Sequence, residues 1–89
     1  MNFKEFKSYQ VHGGIQYFHF FPNGYGVSIV KHGFSYGSRQ GLWEMAVLKG
    51  NEKSHDITYD TPITNDVIGY LSDEEVNDYC KQVSELPQN

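Results

Sequence analysis

Glycines, aromatics and cations interleave in NGYGVSIVKHGFSYGSRQGLWEMAVLK, from Asn23 to Lys49. Five glycines and four aromatic side chains share this stretch with Lys31, His32 and Arg39. Such a mixture suits three chemistries: gripping a phosphate on backbone amides, stacking a nucleobase, or docking a protein surface. A phosphate cradle needs its glycines between a strand and a helix, so that the helix amides point at the anion. Gly24-Tyr25-Gly26 instead opens a strand after a turn signal, and no Lys-Ser or Lys-Thr pair follows. It reads as a turn. His32 to Gly37, HGFSYG, has the basic residue, glycine and alternating aromatics of an RNP1 pattern. Ser35 takes its small-residue position, however, and Gly37 breaks the strand where the pattern continues. Single-stranded nucleic-acid binding through Tyr25, Phe34, Tyr36 and Arg39 is thus an alternative, and nucleic acid is a disfavoured partner. Phe34, Tyr36 and Arg39 are equally types enriched where proteins dock. Two roles stay open for the loop Gly33 to Gly41: covering a sheet edge, or offering a contact surface.

Other reactive types lack partners. His12, His19, His32 and His55 show no i, i+4 helical pair, and one cysteine excludes the common structural zinc patterns. Ser35 or Ser38 near His32 has no third, orienting group. Cys80 falls on the apolar side of a predicted helix and reads as core. The sequence therefore predicts no catalytic residue, no metal site and no cofactor, and a small meander leaves little room for a substrate pocket of roughly 300 Å³ or more.

Elements that would position the loop can be read on either side of it. IQYFHFF, Ile15 to Phe21, is rich in β-formers and apolar on both faces, with Ile15, Tyr17, His19 and Phe21 on one side and Gln16, Phe18 and Phe20 on the other. Asn23-Gly24 tolerates positive φ at two successive positions and predicts a tight hairpin, with Gly24 to Lys31 as the return strand. Leu42 to Lys49 is a third strand and Asp56 to Tyr59 a fourth. Residues 1–14 read as a lead-in holding a short strand or turn. Residues 61–71 read as a connection in which Asn65 to Tyr70 forms a helical turn or another short strand. In Leu71-Ser72-Asp73-Glu74-Glu75-Val76, Ser72 and Glu75 match a capping box, and Leu71 and Val76 a hydrophobic staple. Val76, Tyr79, Cys80, Val83 and Leu86 then follow helical spacing. The expected fold is one α+β domain: an antiparallel β-meander of about four strands over 15–60, with a C-terminal amphipathic helix, 72–86, packed on it.

A chain of 89 residues is near the low end for an unaided core. Seven Tyr, six Phe and one Trp concentrate its burial in a few large groups. Small domains with such an aromatic excess often pair with a copy of themselves, so a homodimer is a further expectation. A single cysteine, no apolar run of signal-peptide length at the amino terminus and no membrane-length apolar stretch together predict a soluble, intracellular protein without membrane contact. Residues 1–43 hold four cations against Glu5, a balance of +3, whereas the remainder holds three cations against ten acids, a balance of −7. Asp73, Glu74, Asp78 and Glu85 would give the helix an acidic back, which either solvates the domain or meets a basic partner.

From Asn23 to about Leu86 the strings GYGVSIV, SYG, GLWEMAVLK and YDTPITNDVIGYLSDEEV resemble short uncharacterised proteins encoded by tailed bacteriophages. The resemblance implies a viral accessory protein acting in the host cytoplasm, and supplies no catalytic residue. It suggests a non-enzymatic protein that binds and modulates or inhibits a host protein, including as a nucleic-acid mimic. Tyr36, Arg39, Asp73, Glu74, Asp78 and Glu85 are its expected contacts. A self-associating assembly protein is the alternative of a different class.

Overall fold

The computed structural model describes residues 1–63 and 67–88. After a 3-10 turn at Phe3–Glu5 come β1 (Lys7–Val11), β2 (Gly14–Phe20), β3 (Tyr25–Lys31), β4 (Trp43–Gly50), β5 (His55–Ile57), β6 (Ile68–Leu71) and α1 (Asp73–Ser84). The sheet is antiparallel throughout, in the order β1-β2-β3-β4-β5, and β6 pairs with β4. β5 joins β4 at Leu48 to Gly50, whereas β6 joins it at Trp43 and Met45.

The α+β class, the meander and the terminal helix agree with the sequence reading, but about four strands is too low. The four expected strands are β2 to β5. β1 lies inside the supposed lead-in and β6 inside the supposed connection. Of the segment Asn65 to Tyr70, Ile68 onward is strand, and residues 64–66 lie outside the described residues.

Two hairpin turns differ instructively. The β2–β3 loop closes with the Phe21 amide donating to the Tyr25 carbonyl at 2.7 Å and the Gly24 amide to the Phe21 carbonyl at 3.3 Å. Gly24 has φ 85°, but Asn23 is not among the positive-φ residues, so this is a three-residue loop and not the expected Asn-Gly turn. Asn23 instead reaches across to the helix, where its Nδ2 donates to the carbonyls of Val83 (2.8 Å), Leu86 (3.1 Å) and Ser84 (3.3 Å). It thereby receives the free carbonyl end of α1. The turn with positive φ at both positions is His12-Gly13, at 46° and 78°, between β1 and β2.

Ser72 and Glu75 form the full capping box, with Ser72 Oγ accepting from the Glu75 amide at 3.2 Å and Glu75 Oε1 accepting from the Ser72 amide at 3.0 Å. Leu71, Val76, Cys80 and Val83 are buried, and Tyr79 and Leu86 pack beside them. They meet one face of the sheet, built from Ile15, Tyr17, Val27, Ile29, Trp43, Met45 and Val47. The amino terminus completes this core. Phe3 is fully buried, edge-on to Tyr17 at 5.4 Å and to Trp43 at 5.0 Å, and its amide donates to Asn77 Oδ1 of α1 at 2.9 Å.

Candidate protein-binding surface

Side chains alternate across a strand, so β1 to β5 also present a second face, opposite α1. Register places Lys7 and Tyr9 of β1, Gln16, Phe18 and Phe20 of β2, Gly26 and Ser28 of β3, Ala46 and Leu48 of β4, and His55 and Ile57 of β5 on it. The small residues of β3 shape this face. A Cβ at Gly26 would stand 2.6 Å from Phe20 Cδ1, so the Phe20 ring lies over the glycine. At Ser28, the hydroxyl accepts a 2.8 Å hydrogen bond from Gln16 Nε2. With β3 this low, Phe18 and Phe20 approach His55 across it, at ring distances of 6.0 Å and 5.0 Å. Tyr9 extends the layer, edge-on to Phe18 at 5.8 Å.

Leu48 is thereby only 2% exposed although no helix covers it. The aromatic layer above is itself uncovered, with Tyr9 47% and Ile57 46% exposed. A groove of about 240 Å³ runs over it between Lys7 and Tyr9 on one wall and Glu52 and His55 on the other, floored by Phe18 and Phe20. A second hollow, sharing Phe18 and His55, continues past Ser28 and Leu48 to Asp56 and Ile57. The Asn51 carbonyl lies 3.1 Å from His55 Nδ1 and holds the ring in place.

The glycine-aromatic loop leaves the sheet at the far end of β3. Its backbone is tied locally: the amides of His32 and Ser35 donate to Ser35 Oγ and the His32 carbonyl, and the Leu42 amide donates to the Gly37 carbonyl. Ser35 Oγ in turn donates to the His32 carbonyl, so it is engaged with backbone and not with an imidazole base. The Phe34 amide donates to His32 Nδ1 at 3.0 Å, and the Tyr36 amide to Glu44 Oε1 at 3.1 Å. Phe34 is 80% exposed and therefore does not cover the sheet edge. Tyr36 is 61% exposed, Arg39 is exposed as well, and Tyr70 of β6 joins them around a shallow hollow.

The structure thus brings Phe34, Tyr36 and Arg39 together but not Tyr25, which sits at the opposite end of β3 and packs against the core beneath α1. The acidic set also divides. Asp73 accepts a 2.8 Å hydrogen bond from Trp43 Nε1 and pairs with Lys4 at 2.7 Å. These two partners, Lys4 foremost, hold its carboxyl below the usual aspartate range. Asp73 is therefore engaged in joining the amino terminus, β4 and the start of α1. Glu74, Asp78 and Glu85 are all exposed, and their spacing aligns them along one line of α1 and its C-cap with Lys81 among them. Burial pushes the Cys80 thiol up to about 12, which suits a core residue and not a nucleophile.

Sequence reasoning missed Tyr9, Phe18, Phe20, His55 and Ile57 as a surface. The signal was present in IQYFHFF, apolar on both faces, in a chain with one helix signature to cover one of them. No protein family, curated protein or solved structure matches the chain.

Proposed function

We propose that this is a non-enzymatic binding protein that docks a partner protein on the uncovered sheet face, with the Phe34–Arg39 loop as an extension of that surface. The observation that carries this reading is the aromatic layer of Tyr9, Phe18, Phe20 and His55, packed among itself yet roofed by nothing among the described residues. A sheet apolar on both faces needs a second layer, and the groove gives a partner's apolar ridge a seat. Glu52 and Asp56 on one side of that seat favour a ridge flanked by a basic residue. The resemblance to phage proteins supports a host protein as the partner, met in the host cytoplasm. No helix among the described residues is long and apolar enough to cross a membrane.

The helix acids Glu74, Asp78 and Glu85 support mimicry of a nucleic acid less well, because Lys81 stands among them and Asp73 is engaged elsewhere. Single-strand binding keeps Phe34, Tyr36 and Arg39 but loses Tyr25.

Capture from a nuclease-treated bacterial lysate, followed by reconstitution with the purified partner, tests the reading. Ile57→Lys should weaken the reconstituted complex at least tenfold, Tyr36→Ala with Arg39→Ala should weaken it less, and reversing Glu74, Asp78 and Glu85 should leave it within about twofold. Loss of binding on charge reversal, with Ile57→Lys unaffected, would transfer the function to the helix.

A further inference from the structure

The sheet ends differently on its two sides. On one, β5 and β6 share the edge of β4; both are short, and β6 carries a register shift with Tyr70 at φ 59°. Short, bent or interrupted edges resist pairing with another chain. On the other side β1 is regular over all five residues, without proline, and Lys7 to Gln10 are exposed. Nothing in its geometry blunts that edge except the single charge of Lys7.

The backbone groups it offers follow from the turn. His12-Gly13 closes a two-residue hairpin, which makes Val11 and Gly14 a hydrogen-bonded pair. Alternation then bonds Tyr9 to Gln16 and Lys7 to Phe18, and turns the amides and carbonyls of Ser8 and Gln10 outward. These two outward residues lie symmetrically about Tyr9.

We propose that β1 pairs antiparallel with β1 of a second copy, about a two-fold axis through Tyr9, to make a dimer with one continuous sheet. Of the registers that join outward groups to outward groups, this one pairs the whole strand. Ser8 stands opposite Gln10, exchanging both amide–carbonyl bonds. Tyr9 stands opposite its own copy in the closely spaced, non-bonded position, where aromatic pairs interact best. Lys7 faces Val11, so the charge of β1 never meets itself. An isologous contact requires this kind of self-complementarity, and the Tyr9 pair together with the separation of the two Lys7 charges supplies it in the side chains as well as the backbone. The dimer also joins two aromatic grooves edge to edge through Tyr9. It does not depend on the partner assigned above, since it uses the strand edge and leaves the face open.

Sedimentation of the full chain from about 10 to 500 µM tests the pairing. The wild type should move from monomer to dimer across that range. Gln10→Pro removes an outward amide and none used by β2, a position where edge strands tolerate proline. It should weaken the dimer at least tenfold while circular dichroism and Trp43 fluorescence stay unchanged. Tyr9→Cys should oxidise to an interchain disulfide, and Ser8→Cys, which faces Gln10 and not itself, should do so at least tenfold more slowly. A chain monomeric at 500 µM overturns the proposal. So does a dimer that survives Gln10→Pro but is lost in Ile57→Lys, which would place the contact on the open face. Equal cross-linking of the two cysteine variants overturns the register.

Discussion

Asn23 joins the two layers with one side chain. Its Oδ1 accepts from the Tyr25 amide at 3.1 Å and sets the turn, while its Nδ2 meets three carbonyls at the end of α1. It is 9% exposed, so water replaces little of this when the amide is removed. Asn23→Ala is expected to cost about 1–3 kcal/mol through the acceptors left unmet. Asn23→Asp should cost more above about pH 5 despite its matching shape, because a carboxylate would face carbonyl oxygens at the negative end of the helix dipole. Urea unfolding followed by the single tryptophan measures both, and an Asn23→Asp variant as stable as the wild type would refute the assigned role. Asp73 makes an opposite case. Lys4 and Trp43 stabilise its charged form and lower its folded-state affinity for a proton. The linked stability is present above the ordinary aspartate value of 3.8 and drains away as pH falls through the lower folded value. Glu75, lowered by the Ser72 amide and hydroxyl, adds in the same direction. Unfolding midpoints should therefore drop below about pH 4, and the Asp73→Asn variant should show a shallower drop, readable in Trp43 fluorescence.

Among the elements, the 3-10 turn Phe3–Glu5 carries more weight than its short length suggests. Phe3 fills the space between Tyr17, Trp43 and α1 with no exposed surface. Phe3→Ala should cost about 3–5 kcal/mol by lost transfer energy and cavity together. Ser72→Ala, which removes one half of the capping box, should cost about 0.5–2 kcal/mol. Thermal melts of the two variants should rank them in that order, and the reverse ranking would make the amino terminus an accessory. The cap was legible in the sequence because its signal is local: residues within one turn satisfy one another wherever the chain folds. The Phe3 plug was not, since its partners are contributed by β2, β4 and α1. β1 was legible only as a short strand or turn within the lead-in, because KSYQV is exposed over Lys7 to Gln10 and its alternation rests on two apolar residues, Tyr9 and Val11. In the sequence β6 stays open between a helical turn and a short strand, because it has only four residues, one of them glycine. Of the candidate surface, the loop types Phe34, Tyr36 and Arg39 could be read directly. The sequence groups Tyr25 with them within one glycine-aromatic stretch, whereas the seven residues of β3 carry it to the opposite end of the strand, on the core face.

At the scale of the molecule, one helix meets a sheet that is apolar on both sides. The side facing α1 becomes the core, and the other becomes a thin second layer that is half packing and half surface. These two roles make separable predictions. Phe20 lies over Gly26 and helps hide Leu48, so Phe20→Ala should lower stability by about 1–3 kcal/mol, as a half-buried aromatic would. Ile57 stands directly across from Leu48 at the rim of the same layer and leaves nearly half of its own surface exposed, at 46%. Ile57→Lys should therefore cost no more than about 1 kcal/mol, because the lysine stem can still lie over Leu48, yet add a buried charge to any partner seated on the groove. A standard interface takes about 800 Å² from each side, comparable to one broad face of a molecule measuring 35 × 24 × 22 Å. A partner on this face must accordingly cross the rim at β5. Urea midpoints for the two variants, set beside their affinities for a reconstituted partner, distinguish the layer's roles. Stability lost in Phe20→Ala with binding alone lost in Ile57→Lys is the expected pattern. A Phe20→Ala chain of wild-type stability would mean the rings are surface decoration and not a layer.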